Sequence, residues 1–216
     1  MAQGRQLHDK YFKQAKAEGY AARSAYKLKQ ICQKRPLLRR GDAVLDLGCA
    51  PGSWMQVASE LVGARGIVVG LDLQPVDVSL PQNAKALQGD VFHFDPAALT
   101  ALLQAPAAPA TSPGTSLARL FDAVISDMAP NTTGDGDHFR SVELCRRVLT
   151  ILPALLKVGG NLTMKVFEGE QYPALLAETR AAFRDVKGFK PDATRGVSKE
   201  MYIIALGYTG RLGDPA

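Results

Sequence analysis

The sequence predicts an α/β protein whose doubly wound, mostly parallel β-sheet carries helices on both faces. Short apolar segments of strand length alternate along the chain with longer segments of helical character. A turn rich in glycine and proline joins the first apolar segment to a helix, as tight strand-to-helix connections often require. A short connection over 191–200 precedes the last apolar segment, so we expect that final strand to run antiparallel.

The individual elements follow from local punctuation. Gly19 separates two basic helices, and Pro36 with the Gly41-Asp42 pair ends them before the first strand. Residues 105–116 are rich in Ala, Pro, Ser and Thr without periodicity, which predicts a flexible loop. We expect helices over 7–18, 23–34, 53–62, 95–104, 138–156 and 171–183, and strands over 43–48, 66–73, 84–90, 121–130 with its exit turn, 159–167, 184–190 and 201–208.

Size and composition indicate one globular domain. The chain has 216 residues, of which 46% are hydrophobic and 22% are charged, which is ordinary for a soluble protein. No apolar run approaches the roughly 20 residues that cross a bilayer, and the N-terminus has no apolar signal segment. We expect a basic N-terminal extension over 1–40 and a catalytic core over 41–210, in a cytoplasmic monomer without membrane contact.

The cysteines and histidines are too dispersed to suggest a metal site. None of them has the CxxC or Cys/His spacing of a zinc centre. We therefore predict no metal, and free thiols in a reducing compartment. The residues concerned are Cys32, Cys49, Cys145, His8, His93 and His138.

Positive charge is concentrated in the N-terminal extension. Residues 1–40 contain eleven Lys and Arg against two acidic residues, a charge of +9, whereas the remainder carries −4 within a total of +5. Tyr11, Phe12, Tyr20 and Tyr26 lie among these cations. A basic segment on a mildly acidic body favours a polyanion such as nucleic acid, although a solvated helical face would have a similar composition.

The turn over 46–52 predicts a site for a nucleotide-like cofactor. Its glycines let the backbone approach a ligand, and the helix that follows offers free amide groups. Ala50 takes the middle glycine position of a dinucleotide-binding GxGxxG motif, and Pro51 interrupts the spacing of that motif. Asp46 is nearer the strand interior, so we expect it only to orient the turn.

Acidic residues at the ends of successive strands strengthen this prediction. Asp72 ends the second strand, where a carboxylate can accept both ribose hydroxyls of a nucleoside. Asp90 ends the third strand and could accept an adenine amino group, with the Val91 amide beside it. Either acid alone could instead be a helix cap or turn residue. Trp54, the only tryptophan, could anchor the core or form a wall of the cofactor pocket.

Four charged residues come from four separate motifs. Asp127 follows the fourth strand and Lys165 lies late in the fifth, so both belong at the sheet edge that holds the cofactor turn. Glu200 precedes the last strand, whose start faces the same edge if it runs antiparallel. Lys27 lies on the second basic helix, which would have to fold over the site.

These four residues suit a reaction at a ribose 2′-hydroxyl beside a methyl donor. Lys165 as a neutral amine, a form favoured by Lys27 and by partial burial, would deprotonate the hydroxyl. The carboxylates of Asp127 and Glu200 would orient the amine and the hydroxyl. Two structural salt bridges, Lys27 with Glu200 and Asp127 with Lys165, are the alternative.

Five short motifs carry these residues. They are RSAYKL (23–28), DLGCAPGSW (46–54), SDMAPN (126–131), MKVFEGE (164–170) and SKEMYIIA (198–205). In order and content they resemble the FtsJ family of ribosomal RNA ribose 2′-O-methyltransferases, over about residues 8–208. The resemblance implies a Rossmann-like class I S-adenosylmethionine-dependent methyltransferase with a seven-stranded sheet. It also implies methylation of a uridine in the A-loop of 23S ribosomal RNA in the large ribosomal subunit.

The resemblance also implies roles for individual residues. The family's catalytic residues correspond to Lys27, Asp127, Lys165 and Glu200, with Lys165 as the base. The family's cofactor contacts carry over to Gly52, Trp54, Asp72, Asp90 and Asp127, and we also predict cofactor contacts at Gly48, Ser53, Leu73 and Val91. The loop over 105–116 is longer than is usual in the family, but it contains none of the motifs.

Other functions stay open from the sequence. Relatives with this motif set act on messenger RNA caps or on tRNA anticodon loops, although the compact length favours the ribosomal branch. A noncatalytic ribosome-assembly factor would share the basic extension, but the four charged residues are all retained. A nicotinamide-dependent oxidoreductase is disfavoured because the GxGxxG motif is missing from the first turn.

Overall fold

The computed structural model describes residues 2–103, 119–130, 136–194 and 198–211. Helices and strands alternate through these ranges. The helices are α1 (Ala2–Ala17), α2 (Ala25–Lys34), α3 (Ser53–Val62), α4 (Pro96–Ala101), α5 (Asp137–Leu155) and α6 (Tyr172–Ala182). The strands are β1 (Ala43–Leu47), β2 (Ile67–Asp72), β3 (Ala84–Gln88), β4 (Phe121–Ser126), β5 (Leu156–Phe167), β6 (Phe183–Phe189) and β7 (Glu200–Tyr208).

The strands form one seven-stranded sheet in the order β3-β2-β1-β4-β5-β7-β6. β1 pairs in parallel with β2 and β4, and β4 pairs in parallel with β5. β7 runs antiparallel to both β5 and β6, so the predicted antiparallel last strand is confirmed. The carboxyl ends of β1, β2, β4 and β5 and the amino end of β7 therefore meet at one edge of the sheet, called the rim below.

Helices pack on both faces because the central strands are buried on both sides. All five residues of β1 are buried, as expected in the middle of a parallel sheet. Leu45 and Leu47 belong to the hydrophobic cluster that includes α5, whereas Val44 belongs to the cluster built with α2 and α3. The predicted doubly wound α/β class is thereby confirmed.

Most elements differ from their predicted bounds by one or two residues, while α1 begins at Ala2 rather than 7 and α4 ends at Ala101 rather than 104. Two of the shifts have local reasons. α4 begins at Pro96 rather than 95, because Asp95 caps it by accepting a hydrogen bond from the Ala97 N–H at 2.9 Å. β5 begins at Leu156 rather than 159, because Leu156 already pairs with Phe121 of β4. Neither shift changes which residues reach the rim.

Parts of two predictions lie outside the described residues, namely the loop over 105–116 and Asn131 of the aspartate motif. Among the helices of the described ranges, none is long and apolar enough to cross a membrane. Within the same ranges, no three His, Cys, Asp or Glu side chains are grouped so that they could hold a metal ion.

Candidate active site

A cavity of about 440 Å³ opens at the rim and is called the rim cavity. Ligands of open α/β sheets bind in this position, outside the carboxyl ends of the strands. Its volume is in the range of small-ligand pockets. Six of the nine residues predicted to contact a cofactor line it, namely Gly48, Asp72, Leu73, Asp90, Val91 and Asp127.

Gly48 lets two turns of the rim come together. Its φ is 78°, a left-handed backbone conformation that L side chains rarely adopt. A Cβ at this position would lie 2.6 Å from Met128 Cγ and 2.9 Å from Met128 N. The glycine therefore allows the turn after β1 to pack against the turn after β4, which brings Asp127 beside the cofactor turn.

Asp72 holds the turn between β1 and α3. Its Oδ2 accepts a hydrogen bond from the Ala50 N–H at 2.9 Å, and its Oδ1 accepts one from the Gln74 N–H at 2.8 Å. A carboxylate has about four acceptor sites, so these two bonds leave capacity for ligand hydroxyls. Since Asp72 also lines the rim cavity, it can shape the turn and bind a ligand at the same time.

The turn over 90–92 forms another part of the cavity wall. Asp90 accepts a hydrogen bond from the Phe92 N–H at 2.9 Å, which lowers the pKa of Asp90. Arg147 of α5 donates to the Val91 carbonyl at 2.8 Å and to the Phe92 carbonyl at 3.2 Å. No feature of the sequence marks Arg147 as a site residue, because its acceptors are backbone atoms 56 and 55 residues away.

Three of the predicted cofactor contacts do not line the rim cavity, and Trp54 is one of them. Its side chain is in the core, because the residue is only 2% exposed and its indole N–H donates to the Ser24 carbonyl at 2.8 Å. Ser53 is also turned toward α2, with its Oγ 2.8 Å from Ser24 Oγ. Gly52 packs against the 76–80 segment, since a Cβ there would lie 3.0 Å from Val76 Cγ1.

The four predicted catalytic residues form one group beside the rim cavity, called the charged cluster. Lys27 Nζ donates to Glu200 Oε1 at 3.1 Å and to Oε2 at 3.0 Å. Lys165 Nζ lies 3.0 Å from Asp127 Oδ1 and 3.9 Å from Glu200 Oε1, and it donates to the Asp127 carbonyl. These are the two ion pairs of the structural alternative. However, Glu200 links them and Asp127 lines the cavity.

Strand register explains how the charged cluster assembles. Lys165 of β5 pairs with Tyr202 of β7, and Glu200 lies two residues before Tyr202 on the same face. β7 must run antiparallel for this to happen, because its amino end then reaches the rim. Leu28 of α2 packs in the same hydrophobic cluster as Tyr202, and the adjacent Lys27 meets Glu200 there.

Tyr202 of β7 is a further member of the site, and the sequence alone predicted no role for it. The residue is 0% exposed, and its hydroxyl donates to Asp127 Oδ1 at 2.6 Å. Burial raises the pKa of Tyr202 well above its usual value, and the negative charge of Asp127 adds to this. Burial would also raise the pKa of Asp127, but Lys165, Lys27 and the tyrosine bond outweigh it and lower that pKa. Asp127 is therefore an anion that accepts a hydrogen bond from a neutral Tyr202.

Asp46 is a buried acid in the middle of β1. The residue is 0% exposed, and neither carboxylate oxygen has a hydrogen-bond partner in the described part of the chain. Burial raises the pKa of Asp46 well above its usual value, and the charges of Asp127 and Asp72 raise it further. The expectation that Asp46 orients the following turn finds no such hydrogen bond among the described residues.

We expect Asp46→Asn to raise the free energy of unfolding of the ligand-free protein by on the order of 2 kcal/mol at pH 8. The folded pKa lies above the unfolded value, so the wild-type protein loses stability as the pH rises above about 4. Asparagine does not ionise, so the variant should not lose stability as the pH rises. Its gain in the free energy of unfolding over wild type should therefore be larger at pH 8 than at pH 5. Urea unfolding at the two pH values measures it. An equal change at both would contradict the assignment of a buried neutral acid.

The sequence matches the family described as FtsJ-like methyltransferase over residues 20–208. Two curated relatives, each named ribosomal RNA large subunit methyltransferase E, come from Desulforapulum autotrophicum and Nitratidesulfovibrio vulgaris (strain Miyazaki F). They are 43% and 45% identical to this chain. The alignments cover 94% of this chain and 93% and 95% of the relatives.

Two solved structures are similar in fold. One is a protein from Plasmodium falciparum described as a ribosomal RNA methyltransferase, with a TM-score of 0.73 and 26% identity over 89% of this chain and all of that one. The other is fibrillarin from Aeropyrum pernix with natively bound S-adenosyl-L-methionine. Its TM-score is 0.59 with 20% identity, over 85% of this chain and 76% of that one, so this likeness concerns the fold alone.

Proposed function

Because this chain belongs to the FtsJ-like methyltransferase family, we propose that it methylates the ribose 2′-hydroxyl of a uridine in the A-loop of 23S ribosomal RNA. The observation that carries the proposal is the charged cluster, in which two amines and two carboxylates meet beside the rim cavity. A positioned amine and carboxylates can hold and deprotonate a hydroxyl group. Methyl transfer is the family-level activity, and large-subunit ribosomal RNA is the substrate in the names of the two curated relatives. The nucleotide and the reacting atom are the finer part of the proposal.

S-adenosylmethionine is the cofactor, and the residues of the rim cavity fit it. When bound, it supplies an electrophilic methyl group on a positively charged sulfur. Asp72 has acceptor capacity left for ribose hydroxyls, and the turn over 90–92 would hold the adenine. Asp127 is an anion on the cavity wall, which favours a positively charged ligand.

Lys165 would act as the general base. Bound S-adenosylmethionine would supply the methyl group that the ribose 2′-oxygen takes up, with its sulfur as the leaving group. The hydroxyl proton passes to Lys165 Nζ, so the amine must be in its neutral form before the reaction. Asp127 and Glu200 lie on two sides of this amine and would orient it toward the hydroxyl.

The N-terminal extension would bind RNA through exposed cations. Lys10, Lys13 and Lys16 are exposed on α1. The tyrosines that lie among them serve another purpose, because Tyr11 and Tyr20 pack on Tyr26 with ring centroids 5.2 and 6.0 Å away. These rings hold α1 against α2, which leaves the lysines for contacts with phosphate.

We expect Lys13→Glu with Lys16→Glu to weaken RNA binding and to flatten its salt dependence. Each phosphate contact that is lost should reduce the slope of log K against log salt by about 0.7–0.9. The test is the RNA dissociation constant measured at several salt concentrations between 50 and 200 mM. The matched control is Arg65→Glu with Lys85→Glu, two exposed cations outside the extension. Equal losses in both variants would mean that net charge alone is responsible.

We expect Arg147→Met to raise the dissociation constant of S-adenosylmethionine by roughly tenfold, because the 90–92 turn loses two hydrogen bonds. Calorimetric titration of the cofactor measures this effect. The control is Arg146→Met, since the neighbouring Arg146 bonds Glu178 on α6 instead. A similar loss of cofactor affinity in both variants would argue against a specific role for Arg147.

Radiolabelled S-adenosylmethionine with large ribosomal subunits that lack ribose methylation tests the proposed function. Label on the 2′-oxygen of a 23S uridine is the expected result. Label only on tRNA or on capped RNA would keep the chemistry but change the substrate. Tight RNA binding without label would favour a noncatalytic assembly factor, the second candidate because of the basic extension. We expect the reaction to take place in the cytoplasm, where ribosomal subunits are assembled.

A further inference from the structure

Phe139, in the first turn of α5, presents an aromatic ring at the rim. The residue is 44% exposed, whereas Phe121 and Phe183 of the core are 0% and 3% exposed. The next residue, Arg140, is charged and exposed, so the ring does not continue into a broad apolar patch along the helix. An isolated exposed ring of this kind is a small platform rather than a protein-sized interface.

Contacts between α5 and the end of β5 put the first turn of α5, which contains Phe139, at the rim. Ser141 Oγ accepts a hydrogen bond from the Phe167 N–H at 3.0 Å. Phe167 lies two strand residues beyond Lys165, a distance of about 7 Å. Farther along the same helix, Leu144 lines the rim cavity, about 7–8 Å along the helix axis from Phe139. Phe139 therefore lies at the rim end of a helix that contributes to the wall of the rim cavity.

A second ring supports Phe139. The ring centroids of His138 and Phe139 are 4.0 Å apart, with their planes inclined at 39°. His138 packs over Gly169, where a Cβ would lie 2.7 Å from His138 Cδ2. A larger residue at 169 would displace the imidazole, so the glycine leaves room for the pair of rings.

We propose that Phe139, supported by His138, stacks on an unpaired base of the substrate RNA next to the nucleotide that is methylated. The inference rests on the proposed RNA substrate and adds a contact that selects for single-stranded structure around the target. Proteins commonly hold unstacked RNA bases on exposed aromatic rings, with little dependence on the base. His138 packs on Gly169 in the segment that follows β5, so the two rings lie at the same rim as the proposed base Lys165.

The test compares Phe139→Ala and Phe139→Trp in RNA binding and in steady-state methylation. We expect the alanine variant to raise the KM and dissociation constant for RNA roughly 5- to 100-fold. Its kcat at saturating RNA and its affinity for S-adenosylmethionine should stay within about twofold. Tryptophan should restore RNA affinity, and the fluorescence of the introduced indole should change when RNA binds.

Two controls separate this effect from others. Val158→Ala removes an exposed side chain at the opposite end of β5 and should change nothing. Phe92→Ala removes an exposed ring of the rim cavity, so it should weaken the binding of the cofactor rather than the binding of RNA. If Phe139→Ala binds RNA as tightly as the wild-type protein, and the wild-type protein methylates RNA, the inference about Phe139 is wrong but the proposed function stands. A wild-type protein that neither binds nor methylates RNA would overturn the proposed function as well.

Discussion

Lys165→Met should lower kcat for methyl transfer by about 100- to 10,000-fold, which is the usual contribution of a general base. The dissociation constant of S-adenosylmethionine should stay within about twofold, because Lys165 does not line the rim cavity. Single-turnover methylation of the large subunit and calorimetric cofactor titration measure the two quantities. This combination would separate the proton-accepting amine from the cofactor site.

Two further variants make this expectation specific. Lys165→Arg keeps a positive charge beside Asp127, but the guanidinium group cannot accept a proton near neutral pH. This variant should therefore be nearly as inactive as Lys165→Met. Lys157→Met changes a lysine of the same strand at the opposite end, where it pairs with Asp122, and should retain activity. Substantial activity in Lys165→Arg would mean that the residue supplies charge rather than a base.

Asp127→Asn should lower the free energy of unfolding at pH 7 by about 3 kcal/mol, besides removing activity. The carboxylate is paired with Lys165 at 3.0 Å and accepts a bond from Tyr202, and its side chain is only 17% exposed. Replacing it leaves a buried lysine with one carboxylate neighbour, Glu200, at 3.9 Å. Urea unfolding of wild type and variant gives the difference.

The pH dependence of this difference follows from the direction of the pKa shift. The pKa of Asp127 in the folded protein lies below its usual value, so its contribution to stability is present above about pH 4. That contribution is lost as the pH falls through the folded pKa, and the two proteins should then converge. Asp77→Asn, at an exposed position, should show neither effect. A constant difference down to pH 3 would show that the lost hydrogen bond, not the charge, matters.

The central fold was predictable because local signals and tertiary packing agree there. The predicted helix over 53–62 has the observed bounds of α3, and the antiparallel last strand was indicated by a connection too short for a crossover. Gly48 sits in a turn whose left-handed backbone favours glycine, so the residue type itself indicated the geometry. Caps and strand pairing moved the ends of α4 and β5, and these depend on single contacts.

The candidate site was predictable in its charged residues and in the turns at the strand ends, including Gly48. Lys27 and Glu200 were predicted from the motifs that contain them, and the structure pairs them across 173 residues. The sequence alone predicted no role for Arg147 or Tyr202. Their roles come from the backbone carbonyls and the carboxylate that they contact.

By itself the sequence determined the α/β class, the order of the motifs along the chain and the family. These depend on periodicity, glycine turns and ordered motifs. Only the tertiary structure decided that Glu200 touches both lysines, that Trp54 anchors the core and that Asp46 is buried without a hydrogen-bond partner in the described ranges. The physical reason is that the direction of a side chain and its distance from partners depend on strand register and helix packing. Neighbours in sequence do not encode either one.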